Sequence, residues 1–253
     1  MIPIVDRGFT KMSPAFNGGV RLICIPYAGG GPAMFRTWAN ELPAQIGVFA
    51  ALLPGQGSRI REVPPSQTGA FAAELVTNIE PYLNEPYALF GYSMGSLVAF
   101  EMTRQLRAQG KPLPKNLFVA ARRAPQVPDT VAPLHVLPDS AFVKGIQSRY
   151  GGIPETIMQD AELMTLFTPV LRSNFTMIET YKYQDEEPLD LPIAAFGGTR
   201  DKTTGEAELS AWRLQTKRSF NYQLFDGDHF FIQQHQSSVL DTVKRHLKPF
   251  YNP

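Results

Sequence analysis

Short apolar runs alternate with segments of helical period along most of this chain. In one helical segment, Phe71, Leu75, Ile79 and Leu83 recur at four-residue steps, which is typical of a helix with one buried face. The apolar runs are bounded by glycine, proline and polar residues, as buried strands are. The predicted strands cover residues 20–26, 48–53, 87–90, 116–121, 193–196 and 220–225.

Helices are predicted between these strands and after the last one. They cover residues 35–43, 68–83, 96–108, 207–214 and 237–247. Strands that alternate with helices form a mostly parallel sheet with helices on both faces, which is an α/β fold. Ligands of such sheets bind at the carboxyl ends of the strands, so the loops that follow the strands are the places to look for chemistry.

One stretch, residues 122–192, is far longer than an ordinary connection between neighbouring strands. Apolar residues recur within it at helical spacing, and Pro169 is expected to start a second helix there. This stripe consists of Leu163, Phe167, Leu171, Phe175 and Ile178. We predict a single domain, residues 1–253, with an inserted helical lid at 122–192 on the carboxyl edge of the sheet. An insertion without a role in substrate binding is the alternative.

Composition and charge argue against several classes of partner. The 253 residues carry 24 Lys and Arg against 23 Asp and Glu, and a net charge of +1 indicates neither nucleic acid nor a membrane surface. Residues 1–13 lack the apolar core of a secretory signal, and no apolar run is long enough to span a membrane. The single cysteine, Cys24, is expected to be a buried core thiol. We predict a cytoplasmic protein.

Two glycine-rich loops, at residues 29–31 and 55–57, do not match the motifs of nucleotide binding. A dinucleotide fingerprint that starts at Gly29 or Gly55 needs glycine or alanine at its last position, where Met34 and Ile60 stand. The chain also has no P-loop motif. No pair of histidines has the spacing of a metal-binding helix such as H-E-x-x-H. The sequence therefore predicts neither a nucleotide cofactor nor a metal site.

A serine motif follows the strand predicted at 87–90. Gly91-Tyr92-Ser93-Met94-Gly95 matches G-x-S-x-G, and a predicted helix comes directly after it. In this motif a sharp turn between strand and helix exposes the serine oxygen, and glycines are needed because side chains there would collide with neighbouring backbone. Ser93 is therefore the candidate nucleophile. Its alternative role is to cap the helix.

A serine nucleophile needs a histidine base, and His229 is the best candidate. It follows the last predicted strand in a loop, which is where this motif requires the base. The other histidines fit less well. His135 precedes every candidate acid, His235 lies in a polar stretch, and His246 lies among basic residues of the last helix and is expected to be solvated.

The candidate acid is Asp201, in a glycine-rich loop after the strand predicted at 193–196. It gives the chain order serine, acid, histidine that accompanies this motif. A helix cap or a surface ion pair is the alternative role for Asp201. The competing carboxylates are Asp185, Asp190, Asp226 and Asp228.

Two backbone N–H groups are expected to bind the negatively charged oxygen that forms during acyl transfer. One belongs to Met94, the residue after the nucleophile. The other belongs to the loop after the first predicted strand, where Ala28 is the best candidate and glycines follow it.

The motifs together resemble the type II (external, editing) thioesterases of nonribosomal peptide and polyketide synthesis, which are α/β-hydrolases. The resemblance spans nearly the whole chain. Tyr27 and Gln56 depart from it, because the family often has His and Arg there. The matching pieces are residues 26–30, 53–59, 91–95, 150–154 and 179–181, Gly198 with Asp201, and residues 227–231.

This resemblance implies an enzyme that hydrolyses acyl groups from the phosphopantetheine arm of a carrier protein. Ser93 would form an acyl-enzyme, and water activated by His229 would release the acid. The substrate carries the phosphopantetheine, so no cofactor of the enzyme itself is implied. A carboxylesterase for small free esters is one alternative. A carrier-binding protein without catalysis is another, and an intact Ser93, Asp201 and His229 argue against it.

Two further expectations concern substrate binding. Arg122 and Arg123 follow a strand at the carboxyl edge and are expected to help dock an acidic carrier protein. Met158, Met164 and Met177 lie in the insertion, and methionines adapt to apolar groups of varied shape. We therefore expect the insertion to control entry of the acyl group, so that bulky substitutions such as Met164→Trp shift the acyl chain-length preference.

Overall fold

The computed structural model describes residues 5–6 and 8–252, so part of the segment 1–13, in which no secretory signal is predicted, lies outside the described residues. The described strands form one sheet. They are β1 (Val5–Asp6), β2 (Phe9–Lys11), β3 (Val20–Ile25), β4 (Ile46–Ala51), β5 (Tyr87–Tyr92), β6 (Leu117–Ala120), β7 (Ile193–Gly198) and β8 (Phe220–Phe225).

Helices cover both faces of this sheet. The α-helices in the described part of the chain are α1 (Trp38–Glu41), α2 (Thr68–Ile79), α3 (Met94–Ala108), α4 (Asp139–Arg149), α5 (Glu155–Met158), α6 (Ala161–Glu179), α7 (Glu206–Ser210) and α8 (Ile232–Leu247). Short 3₁₀ turns cover Pro32–Phe35, Gly57–Arg59, Glu80–Tyr82, Ala211–Gln215 and Lys248–Phe250. Over the described residues, none of the helices has the length and apolarity needed to cross a bilayer.

The strands lie in the order β1-β2-β4-β3-β5-β6-β7-β8. Strands β3 to β8 are parallel. At one end of the sheet, β2 pairs antiparallel with both β4 and β1. The chain passes from β3 to β4 on one side and then to β5 on the other, so the order reverses between β3 and β5. Ligands bind at such a reversal, outside the carboxyl ends of the strands.

Successive side chains of the central strands point to opposite faces of the sheet, and each face packs into its own hydrophobic core. On β3, Ile23 and Ile25 face the core that α2 and α3 cover, while Leu22 and Cys24 face the core covered by α1 and α8. Cys24 is fully buried, and burial raises the pKa of its thiol well above the usual value, as expected of a core cysteine. The predicted fold, a mostly parallel sheet with helices on both faces, is confirmed.

The helix predicted at 35–43 is shorter and partly of another type. A 3₁₀ turn covers Pro32–Phe35 and only Trp38–Glu41 is α-helical. The rings of Phe35 and Trp38 are in edge contact at 4.9 Å, and both contact Phe90 of β5. The break between the two elements therefore lies between two aromatic residues that pack on the same strand.

Helices α4, α5 and α6 lie between β6 and β7, within the predicted insertion. The expectation that Pro169 starts a helix is wrong, because α6 runs through it from Ala161. The start is set by Asp160, whose Oδ1 accepts the N–H groups of Glu162 and Leu163 at 3.0 Å. A proline inside a helix costs about 3 kcal/mol, and burial of the next two residues, Val170 and Leu171, offsets this cost.

Candidate active site

Ser93 lies between the end of β5 and the start of α3 in a strained backbone conformation, with φ of 53°. A Cβ atom at Gly91 would collide with the carbonyl oxygen of Gly95, and one at Gly95 would collide with that of Ile25 in β3. Both glycines of the motif are therefore required by packing. The turn lies at the reversal of strand order between β3 and β5.

The side chain of Ser93 is bound to the candidate base and does not cap the helix. Its Oγ lies 2.9 Å from Nε2 of His229, and it makes no capping hydrogen bond with the described backbone of α3. Ser93 is 7% exposed and His229 is 4% exposed, so bulk water has little access to this contact. A buried serine hydroxyl that faces an imidazole nitrogen is the arrangement that activates a nucleophile.

Asp201 holds the other ring nitrogen of His229. Its Oδ2 lies 2.8 Å from Nδ1, and its side chain is fully buried. Thr203 donates both its N–H and its hydroxyl to Oδ1 at 2.8 Å. Burial raises the pKa of Asp201, but the bond to His229 and the donors of Thr203 outweigh it, so the pKa lies below its ordinary value. The carboxylate therefore stays ionised and orients the imidazole.

The loops after β7 and β8 continue to pair beyond the strands, which brings acid and base together. Thr199 donates its N–H to Phe225, and Arg200 donates its N–H to Gly227, each at 2.8 Å. A Cβ atom at Gly198 would collide with the carbonyl oxygens of Gly227 and Asp228. The close approach needs a glycine at 198, which explains the glycines that precede the acid.

The remaining histidines lie elsewhere. Nδ1 of His135 contacts Glu179 at 2.7 Å in the insertion, and Nε2 of His235 contacts the carbonyl of Asp226 at 3.0 Å. The expectation that His246 is solvated is wrong. It is half-buried between Asn116 and Asn221, and its pKa is lowered by burial and by Arg245.

The competing carboxylates have other partners. Asp226 pairs with Arg200, Asp190 pairs with Arg218, and the hydroxyl of Tyr183 lies 3.4 Å from Asp185. Asp228 is exposed, and its Oδ1 accepts the N–H of Phe230 at 2.8 Å. This bond shapes the loop beside the base but leaves Asp228 without a contact to the imidazole among the described hydrogen bonds.

Tyr92, the residue before the nucleophile, has a role that sequence reasoning missed. Its hydroxyl donates a hydrogen bond to the backbone carbonyl of His229, and its ring is fully buried against Phe230 and Phe231. Tyr150 of the insertion lies edge-on to the imidazole, with ring centres 5.0 Å apart. The base is therefore held from both sides.

The loop after β3 turns tightly beside Ser93. Gly30 donates its N–H to the carbonyl of Tyr27 at 2.8 Å, and Gly29 has φ of +77°. Ala28 and Gly29 line the same cavity as Ser93. Met94 begins α3, and the first N–H groups of a helix have no partner within the helix. Both expected donors therefore belong to elements that border the nucleophile.

A cavity of about 190 Å³ opens from Ser93 towards the insertion. Apart from Ser93, His229 and the tyrosine hydroxyls, its lining side chains are apolar. The residues contributed by the insertion are Ile146, Tyr150, Gly151, Gly152, Ile153, Pro154, Ile157, Phe167, Leu171, Phe175 and Ile178.

Met164 does not line this cavity, so its position does not support the expectation that Met164→Trp shifts the acyl chain-length preference. It lines a separate groove with Met158, Lys144 and Thr168. On the predicted stripe, Leu163 is also 46% exposed, whereas Leu171 is buried and lines the cavity. The helix therefore turns only its later part towards Ser93.

The expected docking role of Arg122 and Arg123 has no support in their surroundings. The guanidinium of Arg123 is largely buried, donates to the carbonyls of Pro128 and Thr203, and pairs with Asp129 at 3.0 Å. Burial lowers the pKa of Arg122. Arg123 therefore supports the loop that carries Asp201, and the two arginines do not form a solvated basic patch.

Comparison with known proteins agrees with this geometry. The chain matches the thioesterase domain family over residues 20–247. It is 37% identical over 244 residues to gramicidin S biosynthesis protein GrsT of Aneurinibacillus migulanus, covering 96% of this chain and 95% of that protein.

Solved structures of thioesterases superpose well on this fold. RedJ, the thioesterase of the prodiginine biosynthetic pathway in Streptomyces coelicolor, is 34% identical with a TM-score of 0.84, and 90% of each chain is covered. YbtT, a type II thioesterase from the yersiniabactin NRPS/PKS biosynthetic pathway, is 28% identical with a TM-score of 0.87, covering 97% of this chain and all of that one. The resemblance to type II thioesterases is confirmed, and the chain belongs to the thioesterase family.

Proposed function

We propose that this chain hydrolyses stalled or incorrect acyl groups from the phosphopantetheine arm of carrier proteins in nonribosomal peptide or polyketide synthesis. The observation that carries the proposal is the hydrogen-bonded series Asp201–His229–Ser93 at the base of an apolar cavity. The biosynthetic roles of GrsT and YbtT support the choice of substrate.

The first half of the reaction acylates Ser93. Its Oγ attacks the thioester carbonyl carbon while Nε2 of His229 takes the hydroxyl proton, and Asp201 stabilises the resulting imidazolium. The N–H groups of Met94 and Ala28 bind the oxyanion of the tetrahedral intermediate. The carbon–sulfur bond then breaks. A thiol with a pKa of about 8.5 leaves with little help from an acid, and it finally carries the proton that His229 held.

The second half releases the acid. Water attacks the acyl ester as His229 takes one of its protons, and the bond between the carbonyl carbon and Ser93 Oγ breaks. His229 returns the proton to Oγ, so the enzyme is regenerated and a carboxylic acid departs. No cofactor of the protein takes part in the proposed reaction.

We further propose that residues 122–192 act as a lid on a single domain, 1–253. Support comes from the side chains that the insertion contributes to the cavity beside Ser93. Tyr150 and Gly152 also pack on the base loop, since a Cβ atom at Gly152 would collide with Phe230. The proposed carrier-bound substrates place the enzyme in the cytoplasm, in keeping with the unpaired thiol of Cys24.

Mass spectrometry of acyl-loaded carrier proteins tests the proposed function. We expect the wild-type chain to release acyl groups of several sizes. The rate of acyl release by Ser93→Ala should be lower by at least ~10³-fold. Circular dichroism would check that the variant is folded. Equal rates on small free esters and on carrier-bound thioesters would support a carboxylesterase instead, and acyl release by Ser93→Ala at the wild-type rate would remove the nucleophile assignment.

A further inference from the structure

The turn that borders the nucleophile has a central peptide that can take two orientations. Residues 27–30 form a turn closed by the hydrogen bond from Gly30 to Tyr27, and the positive φ of Gly29 makes it type II. Types I and II differ mainly in the orientation of the central peptide, here between Ala28 and Gly29. Whatever binds the N–H of Gly29 therefore selects the turn type and anchors the turn that also carries the N–H of Ala28.

Asn174, on helix α6 of the insertion, binds that N–H. Its Oδ1 accepts the hydrogen bond from Gly29 at 3.0 Å, across 145 residues of sequence. Asn174 is fully buried. Leu171 and Ile178, three residues before and four residues after it on the same helical face, line the cavity. Asn174 is thus a polar residue on a face that otherwise packs apolar side chains against the active site.

Only one half of the amide is used. Nδ2 of Asn174 is buried and has no hydrogen-bond partner among the described residues. An amide whose donor end is unsatisfied pays a desolvation cost, which a purely apolar side chain of similar size would avoid. The acceptor oxygen is therefore the feature of Asn174 that the site requires.

Close packing against α6 restricts the positions that the turn can take. A Cβ atom at Gly29 would lie 2.7 Å from the ring of Phe167 and 3.0 Å from Leu171, both on α6. The turn is pressed against this helix and joined to it by one hydrogen bond. Because that bond occupies the N–H of Gly29, the N–H of Ala28 is left as the donor that the turn offers to the oxyanion.

We infer that Asn174 is a positioning residue that ties the oxyanion turn to the insertion, so that the turn takes its productive conformation when α6 is packed against it. This inference rests on the proposed role of Ala28 as an oxyanion donor. Asn174 has no hydrogen bond to Ser93 among the described contacts. It fixes the peptide between Ala28 and Gly29 and thereby anchors the turn, whose preceding peptide carries the Ala28 N–H aimed at the developing charge.

Two substitutions separate this role from packing. Asn174→Leu keeps the size and removes the acceptor, whereas Asn174→Asp keeps an acceptor oxygen at the same size, because burial favours the neutral carboxyl group. Thr176→Val is the matched control, because among the described residues the hydroxyl of Thr176 bonds only to the carbonyl of Arg172 within α6. The assay uses an acyl thioester of a small thiol, so it can be read whether or not the natural substrate is bound to a carrier protein.

We expect Asn174→Leu to lower kcat by about 10- to 100-fold, somewhat less than the loss of an oxyanion donor itself, with KM nearly unchanged. Asn174→Asp should recover most of the rate, and Thr176→Val should match the wild type. The affinity of a trifluoromethyl ketone, whose adduct with Ser93 carries an oxyanion, should fall with kcat/KM, while the affinity of the product acid should not. Asn174→Ala supplies the same comparison if Asn174→Leu does not fold.

Several results would overturn the inference. One is a variant lacking the acceptor that keeps both the wild-type kcat and the wild-type affinity for the ketone. Another is Asn174→Leu weakening the binding of the ketone and of the product acid by the same factor, which would mean that the amide serves packing. If carrier-bound thioesters proved not to be the substrate, the result would be distinguishable. The ratios of kcat between the Asn174 variants and the wild type on the small thioester would be unchanged.

Discussion

The phenolic hydroxyl of Tyr92 donates a hydrogen bond to the backbone carbonyl of His229. The residue that immediately precedes the nucleophile in β5 therefore holds the loop that carries the base after β8. The serine and the imidazole are fixed relative to each other by this bond as well as by their own contact. Their 2.9 Å separation depends on the backbone of the base loop and not only on the imidazole rotamer.

Removing the Tyr92 hydroxyl should loosen the base loop without emptying the core. Tyr92→Phe keeps the ring and leaves the buried carbonyl of His229 without this donor, which should lower the free energy of unfolding by about 1–3 kcal/mol. We expect kcat to fall more than KM rises, because the imidazole is less well placed. Urea denaturation and steady-state kinetics measure the two effects. Unchanged values in both would show that the bond does not position the loop.

The two aspartates near His229 should differ sharply in their effect on catalysis. Asp201→Asn should reduce kcat by about 10³-fold or more, because an amide no longer holds the productive imidazole tautomer. Asp228→Asn is the matched control, since Asp228 is exposed and, in the described part of the chain, its side chain accepts only the N–H of Phe230. Its rate should stay near wild type. A larger loss in the Asp228 variant would assign the acid to the base loop.

Acid should destabilise the fold in part through Asp201. Its pKa is lower in the folded protein than the ordinary value of 3.8, so the ionised carboxylate stabilises the folded state above that value. The contribution is lost as the pH falls through the lower, folded pKa. In urea denaturation between about pH 6 and pH 3, Asp201→Asn should show a weaker decline in stability than the wild type. Parallel curves would contradict this.

Chain-length preference should respond to the cavity and not to the neighbouring groove. Ile157→Trp adds bulk beside the path from Ser93 and should shift the ratio of kcat/KM values towards shorter acyl groups, by about tenfold or more. Met164→Trp adds a ring in the separate groove and should leave the profile unchanged. A panel of acyl thioesters of increasing length measures both profiles. If the profiles changed equally, the acyl chain would not bind in the cavity beside Ser93.

The parts of the site that are marked by neighbouring residues in the sequence could be predicted. Ser93 is marked by glycines that packing requires on both sides. His229 and Asp201 are marked by loops that follow apolar runs, and parallel strands bring such loops to one edge. The strand predicted at 220–225 has the same bounds as β8.

Features that depend on contacts between distant segments could not be predicted in this way. Nothing in the sequence near Tyr92 or Asn174 indicates their partners, which lie 137 and 145 residues away. Charge alone suggested a docking role for Arg123, yet its guanidinium satisfies backbone carbonyls of two loops. Pro169 misled the helix prediction because the cap at Asp160 and the burial after Pro169 together outweigh its local cost.

The position of β8 at the edge of the sheet has a consequence for synthesis of the protein. The last component of the triad, His229, follows β8, and β8 pairs only with β7 among the described strands. During translation, the nucleophile turn and the acid loop leave the ribosome before the base does. A nascent or prematurely terminated chain that lacks β8 therefore lacks the base that activates Ser93. Full activity requires the final described strand to dock, so activity reports completion of the fold.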